Sequence, residues 1–522
     1  MAPNFTILNG IKRKELLILS LCLLIGFTLR FYTFDHKSLW LDEIHTFKDS
    51  SDGVAGRLKF YQEEPTYLHP PLFFVLTHIF HPFPKAERDL RILPLIFGTL
   101  SIPLFFFLSK LFSPPIAPYC ALSLAFMTYH ISLSQDGRSY SMIMFLGMVG
   151  LYFLMRHLTT LKRGNLLLAS VCYALLFYTS YSSILFIAFS QILWFYKTDQ
   201  EVKPLRFSSF VLLNGSLLLL CLPWILFLGL NYKGQPIMNP LETTGTGSLG
   251  NILYWILHDW VPFLPLTIVS VILLILFPLV SIRKKNPLLL LATLLLPVTA
   301  LYLFCKGFHI THFVSSRYFI NFLPLFFISL YLSLVAAEVK FERLRRWARL
   351  RSLFVILLIA SNVVMLPLYY RSEKQDLRGL VTYLKNHLRK GDKTFIGSVG
   401  YIPGILYYFE AYPEDRHHIF GVRKDLEKEI ELRMNFIYKN RIFTIYQSKT
   451  CCAQYVADGS RLWVIVGKDF AKEIKKRFPF ILKAYFDGSF ANFGKFPTDE
   501  SIYLFLWDPS SPEEKAVEIP LQ

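Results

Sequence analysis

The run ELLILSLCLLIGFTLRFYTF, residues 15–34, followed six residues later by Trp40-Leu41-Asp42-Glu43, decides how this chain is read. Twenty predominantly apolar residues are about what a helix needs to cross a bilayer. Lys12, Arg13 and Lys14 precede the run as in a signal peptide. The run is nevertheless long enough to span and lacks a small-residue cleavage site, so it reads as an uncleaved anchor. Two adjacent carboxylates are thereby delivered to a membrane surface, on the side to which the first helix exits.

The rest of the composition agrees. The 522 residues are 53% hydrophobic and 16% aromatic, well above what soluble domains carry, so the chain reads as a polytopic membrane protein. Its net charge of +18 would suggest nucleic acid in a soluble protein. Here most of the excess sits in short loops between apolar runs, where it is a topology signal, and no nucleic-acid motif is found. Cys22, Cys120, Cys172, Cys221 and Cys305 lie in or beside apolar runs and only Cys451 and Cys452 in a polar region, so neither a metal spacing nor a disulfide framework follows.

Spans are expected near 15–34, 91–109, 115–134, 139–155, 165–179, 180–196, 207–230, 264–282, 287–304, 318–337 and 352–370, eleven in all, with little that is polar between 165–179 and 180–196. With a cytoplasmic N-terminus, the inner connections carry Lys110; Arg156, Lys162 and Arg163; Lys197, Lys203 and Arg206; Arg283, Lys284 and Lys285; and the basic run 340–351. The short outer connections carry few cations, as the positive-inside rule requires. The basic run reads as an anchor facing anionic lipid. An odd number of spans places the tail outside.

Two outer segments are long. The first, 35–90, holds the paired acid and then Leu68-His69-Pro70-Pro71, where proline can open an interfacial helix. The second, 371–522, alternates helices (375–389, 402–410, 425–438, 468–478) with strands (394–398, 441–446, 461–466, 481–486, 502–507), which predicts a soluble α/β domain. The Gly-, Pro-, Thr- and Ser-rich residues 234–250 read as an outer loop, either a lid or an idle linker. The expected architecture is thus an all-α membrane bundle, 1–370, with interfacial helices in its first outer loop, and an extracytoplasmic α/β domain, 371–522.

One membrane face then collects Asp42 and Glu43, the segment Gln135-Asp136-Gly137-Arg138, and Lys306, His309, His312 and Arg317. Taken alone, each is more ordinarily a solvated loop charge. Apolar or aromatic neighbours shift the balance for Asp42, Asp136 and Arg317. Such a set suits group transfer from a lipid phosphate: a carboxylate takes the proton of an acceptor hydroxyl, and cations stabilise the charge growing on a phosphate leaving group. Arginine meets phosphate oxygens in pairs and stays charged. Asp136 could orient the acceptor, steady a cation or hold a metal.

Trp40-Leu41-Asp42-Glu43 resembles the acidic motif in the first outer loop of GT-C glycosyltransferases of the protein mannosyltransferase and aminoarabinose transferase (glycosyltransferase 39) type. Leu68-His69-Pro70-Pro71-Leu72, Arg91-Ile92-Leu93-Pro94-Leu95-Ile96-Phe97-Gly98, Ser132-Leu133-Ser134-Gln135-Asp136-Gly137-Arg138-Ser139-Tyr140 and Ser316-Arg317-Tyr318-Phe319-Ile320-Asn321-Phe322-Leu323-Pro324 follow in matching order and side. The tail from Asp376-Leu377 to Gly391-Asp392 is similar to the extracytoplasmic domain many such enzymes carry. The resemblance implies a polyprenyl-phosphate sugar donor reached from the outer leaflet, transfer with inversion to a glycan, lipid or protein acceptor, and location in the cell (inner) membrane. By position it makes Asp42 the general base and Asp136 the acid of the second outer loop, with Glu43 beside them. Arg138 and Arg317, then His312 and Lys306, become candidates for the donor phosphate, and Trp40, His69, Gln135, Tyr140 and Tyr318 for the cavity wall. The chain departs from the pattern at Asp136-Gly137-Arg138, where bacterial relatives commonly have Glu-Ala-Arg, and at His69-Pro70, where some aminoarabinose transferases have Glu-Lys. No cofactor is required; Asp42, Glu43 and Asp136 could bind a hard divalent cation, though no spacing demands one. Two other functions compete. A transporter or flippase would call for inverted repeats and midplane charges, and an inactive member of the family could serve as an envelope scaffold.

Overall fold

The computed structural model describes residues 12–63, 69–197, 207–232, 248–281, 285–308, 314–341, 350–389, 392–397, 399–409, 436–439, 444–447, 459, 461–477, 479–488 and 501–510. The chain divides into two compact units. The first comprises Met1–Phe34, Tyr61–Ile79 and Arg91–Pro367, the second Asp35–Phe60, Phe80–Leu90 and Leu368–Gln522. The second unit therefore includes parts of the segment 35–90 as well as the C-terminal residues.

The first unit is helical. Among the described residues six helices are long and apolar enough to cross a membrane: Ala86–Phe112, Tyr140–Thr160, Phe207–Asn231, Lys285–Gly307, Ser316–Lys340 and Leu350–Arg371. The number rises to eight if each of two sharply bent pairs, Pro114–Phe126 with Thr128–Ser134 and Leu249–Trp260 with Leu264–Val280, is one span. This is short of the eleven expected. Helix Arg13–Phe31 carries Arg13, Lys14, Glu15 and Arg30, too many charges to count by composition. The adjoining runs 165–179 and 180–196 form Arg163–Phe177 and Ser183–Phe195, both shorter than a crossing. The expected span 115–134 is not continuous: it breaks at Met127 with a 61° bend. Pro71 flanks a short helix, Leu72–Thr77, close to where the proline signal placed one.

The break at Met127 has a physical cause. Carbonyls freed at a helix end need new donors, and fully buried Arg30 supplies them. Its guanidinium donates to Leu124 O (2.8 Å), Ala125 O (3.2 Å) and Gly26 O (2.9 Å) and meets His130 Nδ1 at 2.8 Å. From another helix, Asn362 Oδ1 accepts from Thr128 N–H at 2.8 Å and its backbone carbonyl from Thr128 Oγ1 at 2.9 Å. The second half of the broken span packs closely against helix Ile92–Phe112 at Gly98, where a Cβ would lie 2.1 Å from Ser134 Oγ. Glycine is required there by contact.

The second unit is built on a mixed six-stranded sheet. Its strands are β1 (Lys393–Ile396), β2 (Phe436–Lys439), β3 (Thr444–Gln447), β4 (Leu462–Gly467), β5 (Ile481–Phe486) and β6 (Ile502–Trp507), in the order β2-β3-β1-β4-β6-β5. β1 runs parallel to β3 and β4, and the outer pairs are antiparallel. The buried runs of β4 and β6 face two cores. One holds Leu380, Leu384, Ile405, Trp463, Ile465 and Leu504, the other Phe395, Val464, Ile474 and Phe505. Helices Leu377–His387, Ile402–Tyr408 and Lys468–Arg477 lie within two residues of the expected bounds, as do β1, β4, β5 and β6. The helix expected over 425–438 is corrected at its end, where 436–439 is β2; the rest of it lies outside the described residues.

Candidate functional site

In the second unit, Asp42 and Glu43 open helix Leu41–Asp49. Glu43 is buried, and its Oε2 accepts the Trp40 N–H at 3.4 Å, so the second acid of the pair closes the helix start as a capping residue. Asp42 is half-buried in the first turn, where a carboxylate meets the positive end of the helix dipole, and its carbonyl accepts from Thr46 Oγ1 at 3.2 Å. The segment leading into this turn is tied down residue by residue. Lys37 Nζ donates to Tyr369 O (2.5 Å) and Ser372 O (2.7 Å) and lies 3.7 Å from the Tyr369 ring centroid. Ser38 N–H donates to Glu373 (2.9 Å), Leu39 N–H to Tyr408 Oη (2.7 Å) and Leu41 N–H to Gln375 Oε1 (3.0 Å). Lys374 sits 4.0 Å from the Trp40 ring centroid. Beneath the turn, Leu39, Ile44, Phe83, Ala86 and Leu90 form a buried cluster.

Charges around these ties are shifted. Burial, then the neighbouring Asp376, push the Glu373 carboxyl up from its ordinary value. The hydrogen bond from Lys85, at 2.7 Å, holds Asp35 below its own.

In the first unit the Gln135–Arg138 segment is largely buried. Gln135 Nε2 donates to Arg30 O (2.8 Å) and Tyr32 O (2.7 Å), fixing the end of the broken span to the end of the first helix. Asp136 is 3% exposed, and the Arg138 N–H closes on Asp136 O at 2.6 Å in a tight turn that buries Gly137. Arg138 is half-buried and Tyr140 buried. The Arg317 guanidinium lies 5.5 Å from the centroid of the Tyr140 ring, so these two candidates meet. Tyr318 is half-buried next to it. Lys306 stands exposed over Tyr302, and His69 is exposed, its carbonyl taking a hydrogen bond from Tyr61. His309 and His312 lie outside the described residues, as do Cys451, Cys452 and most of the 234–250 loop.

Sequence reasoning missed one group. Asp259, 5% exposed, accepts from Ser316 Oγ through Oδ2 at 2.5 Å, and Ser316 Oγ is 2.9 Å from Tyr129 Oη. Asp259 Oδ1 has no hydrogen-bond partner among the described residues and lies 3.8 Å from His258 Nδ1. The serine precedes Arg317, so a buried acid is linked to the arginine's turn. The signal was available: Asp259 is a lone carboxylate between Trp255 and Trp260 in a mostly apolar helix. Beside it opens an apolar cavity of 580 Å³ walled by Tyr254, Leu257, Trp260, Phe319 and Phe326. Among the described residues no three of His, Cys, Asp and Glu gather as a metal-binding group.

By its likeness to solved structures, this chain has the GT-C fold. It is similar to the crystal structure of ArnT from Cupriavidus metallidurans in the apo state, with 12% sequence identity over 94% of this chain and 97% of that chain and a TM-score of 0.54. To the same protein bound to undecaprenyl phosphate the TM-score is 0.51, with 10% identity over the same shares. No family model and no curated protein matches the sequence.

Proposed function

We propose that the chain is an integral-membrane glycosyltransferase that moves a sugar from a polyprenyl-phosphate donor to an acceptor hydroxyl on the extracytoplasmic side of the cell membrane. The observation that carries the reading is the likeness in fold to ArnT along nearly the whole of both chains, including the form that holds undecaprenyl phosphate. Asp42 is the general base and takes the acceptor proton; Glu43 fixes the turn that presents it. Arg317 and Arg138 hold the donor phosphate, with the cavity beside Trp260 and Phe319 taking apolar chain. As the acceptor oxygen forms its bond to the anomeric carbon, the bond to the phosphate oxygen breaks, and the prenyl phosphate leaves with the electron pair. Asp136 orients the acceptor or steadies a cation.

The test is direct. Purified protein is incubated with a panel of polyprenyl-phosphate sugars and candidate acceptors, with and without chelator, and release of prenyl phosphate is followed. Release with one sugar establishes the reaction class, and sensitivity to chelator decides whether a divalent cation takes part. Transport of a lipid-linked sugar across vesicles without release would replace the reading with a flippase.

A further inference from the structure

Asp259 is remote in sequence from Asp136 and Arg317, yet its bonds lead to both segments. Helix Leu249–Trp260 ends one residue after it, and that end is held firmly. Thr267 Oγ1 donates to Val261 O at 2.6 Å, and the Trp260 ring centroid lies 5.3 Å from that of Phe326. From this fixed point Asp259 Oδ2 takes the Ser316 hydroxyl at 2.5 Å. Ser316 opens the 3₁₀ helix Ser316–Phe322, whose next residue is Arg317.

The direction of this chain of bonds follows from counting protons. A serine hydroxyl has one proton to give. Ser316 gives it to the carboxylate, so the 2.9 Å contact with Tyr129 is made by the tyrosine O–H donating to Ser316 Oγ. Tyr129 belongs to helix Thr128–Ser134, whose first residue is held by Asn362 and whose following residue, Gln135, is tied to Arg30 O. Tyr129, Ser316 and Asp259 are each 5% exposed, so a lost partner is not readily replaced by water. The segment that continues into Asp136 and the turn that bears Arg317 are therefore joined, and both are grounded on Asp259.

We propose that Asp259 is a positioning residue for the donor phosphate: by holding Ser316 it sets the 3₁₀ turn so that the Arg317 guanidinium, 5.5 Å from the Tyr140 ring centroid, stands at a fixed place relative to the Asp136 segment. It acts through Arg317, and the inference rests on the reading of Arg317 as a phosphate ligand. A cation that stabilises a leaving phosphate works only where the charge develops, so a small displacement of its turn is felt in the use of the donor.

The experiment uses full-length protein in detergent. Three quantities are read: KM and kcat for the polyprenyl-phosphate sugar, retention of undecaprenyl phosphate, and the rate at which phenylglyoxal modifies Arg317, followed by peptide mass spectrometry. Asp259→Ala is expected to raise the donor KM about tenfold with the acceptor KM unchanged, to weaken retention similarly, and to speed the labelling of Arg317 severalfold. Asp259→Asn keeps an acceptor for the serine and is expected to restore most of each. Ser316→Ala should reproduce the alanine effect, and Asp259→Ala/Ser316→Ala should be no worse than either alone, as for two parts of one link. The double variant leaves neither partner of that bond unpaired, and decides the matter if a single variant does not fold. A fall in kcat or in melting temperature with donor KM and labelling unchanged overturns the proposal, as do effects that multiply in the double variant. If the wild-type protein retains no undecaprenyl phosphate, the phosphate-site reading falls, and the labelling alone decides whether Asp259 sets the turn: faster labelling upholds it and equal rates overturn it.

Discussion

The two units hold their candidate acids by opposite means. In the first, the Asp136 segment is set by side chains that reach into a broken helix: Arg30 and Asn362 satisfy the backbone exposed at Met127, and Gln135 ties the loop to the first helix. In the second, Asp42 is set by backbone N–H groups of residues 38–41 reaching out to Glu373, Tyr408 and Gln375. The difference follows from the surroundings. Polar backbone at membrane depth has no water to fall back on, so a break survives only where a buried side chain takes over its hydrogen bonds. The Asp42 turn is instead ordered by anchoring its main chain to residues of the second unit's own fold.

The comparison can be broken most decisively at the acid. Asp42→Asn should lower sugar transfer by roughly 10²- to 10⁴-fold while leaving membrane insertion and donor binding intact; prenyl phosphate release in the variant measures it, and full activity would remove Asp42 as the base. Next is the clamp. Arg30→Met orphans the carbonyls of Leu124 and Ala125, at about 1–3 kcal/mol per buried group, and should lower the melting temperature in detergent, with Arg30→Lys falling between. Tyr408→Phe removes the acceptor of the Leu39 N–H and the donor to Glu87, at 3.1 Å. A loss of about 1–3 kcal/mol is expected, seen as faster amide exchange at Leu39 without change in the first unit.

The smallest effect is on pH. The Glu373 carboxyl is raised above its ordinary 4.5, chiefly by burial. Folding is then favoured fully below that value and the contribution is lost as pH rises through the raised one. Glu373→Gln, which can still accept the Ser38 N–H, should flatten the pH dependence of the second unit's melting above pH 4.5. A variant with the wild-type slope would show that Glu373 is not its source.

These contrasts also explain what could be read from the sequence. Most of the tail's described strands and helices were legible because local alternation and turn residues encode them, and β4 and β6 fall within a residue of expectation, whereas β2 was read as the end of a helix. Hydropathy found the apolar runs but not their interruptions, since the bend at Met127 is decided by Arg30 and Asn362, 97 and 235 residues away. Asp42, Asp136, Tyr140 and Arg317 were singled out by type and by order along the chain; Asp259 was passed over although it is a lone carboxylate between two tryptophans, and its bond to Ser316, itself bonded to Tyr129, comes only from the fold. Glu43 looked like half of a catalytic pair; its capping bond to Trp40 is equally local, and the Trp-x-x-Glu spacing was its signal.

The tie between Ser38 and Glu373 joins residues 335 positions apart. A ribosome adding about 5–20 residues per second needs roughly 17–67 seconds to supply the second after the first. During that interval the turn bearing Asp42 exists without its anchors, and chains released before residue 373 never acquire them.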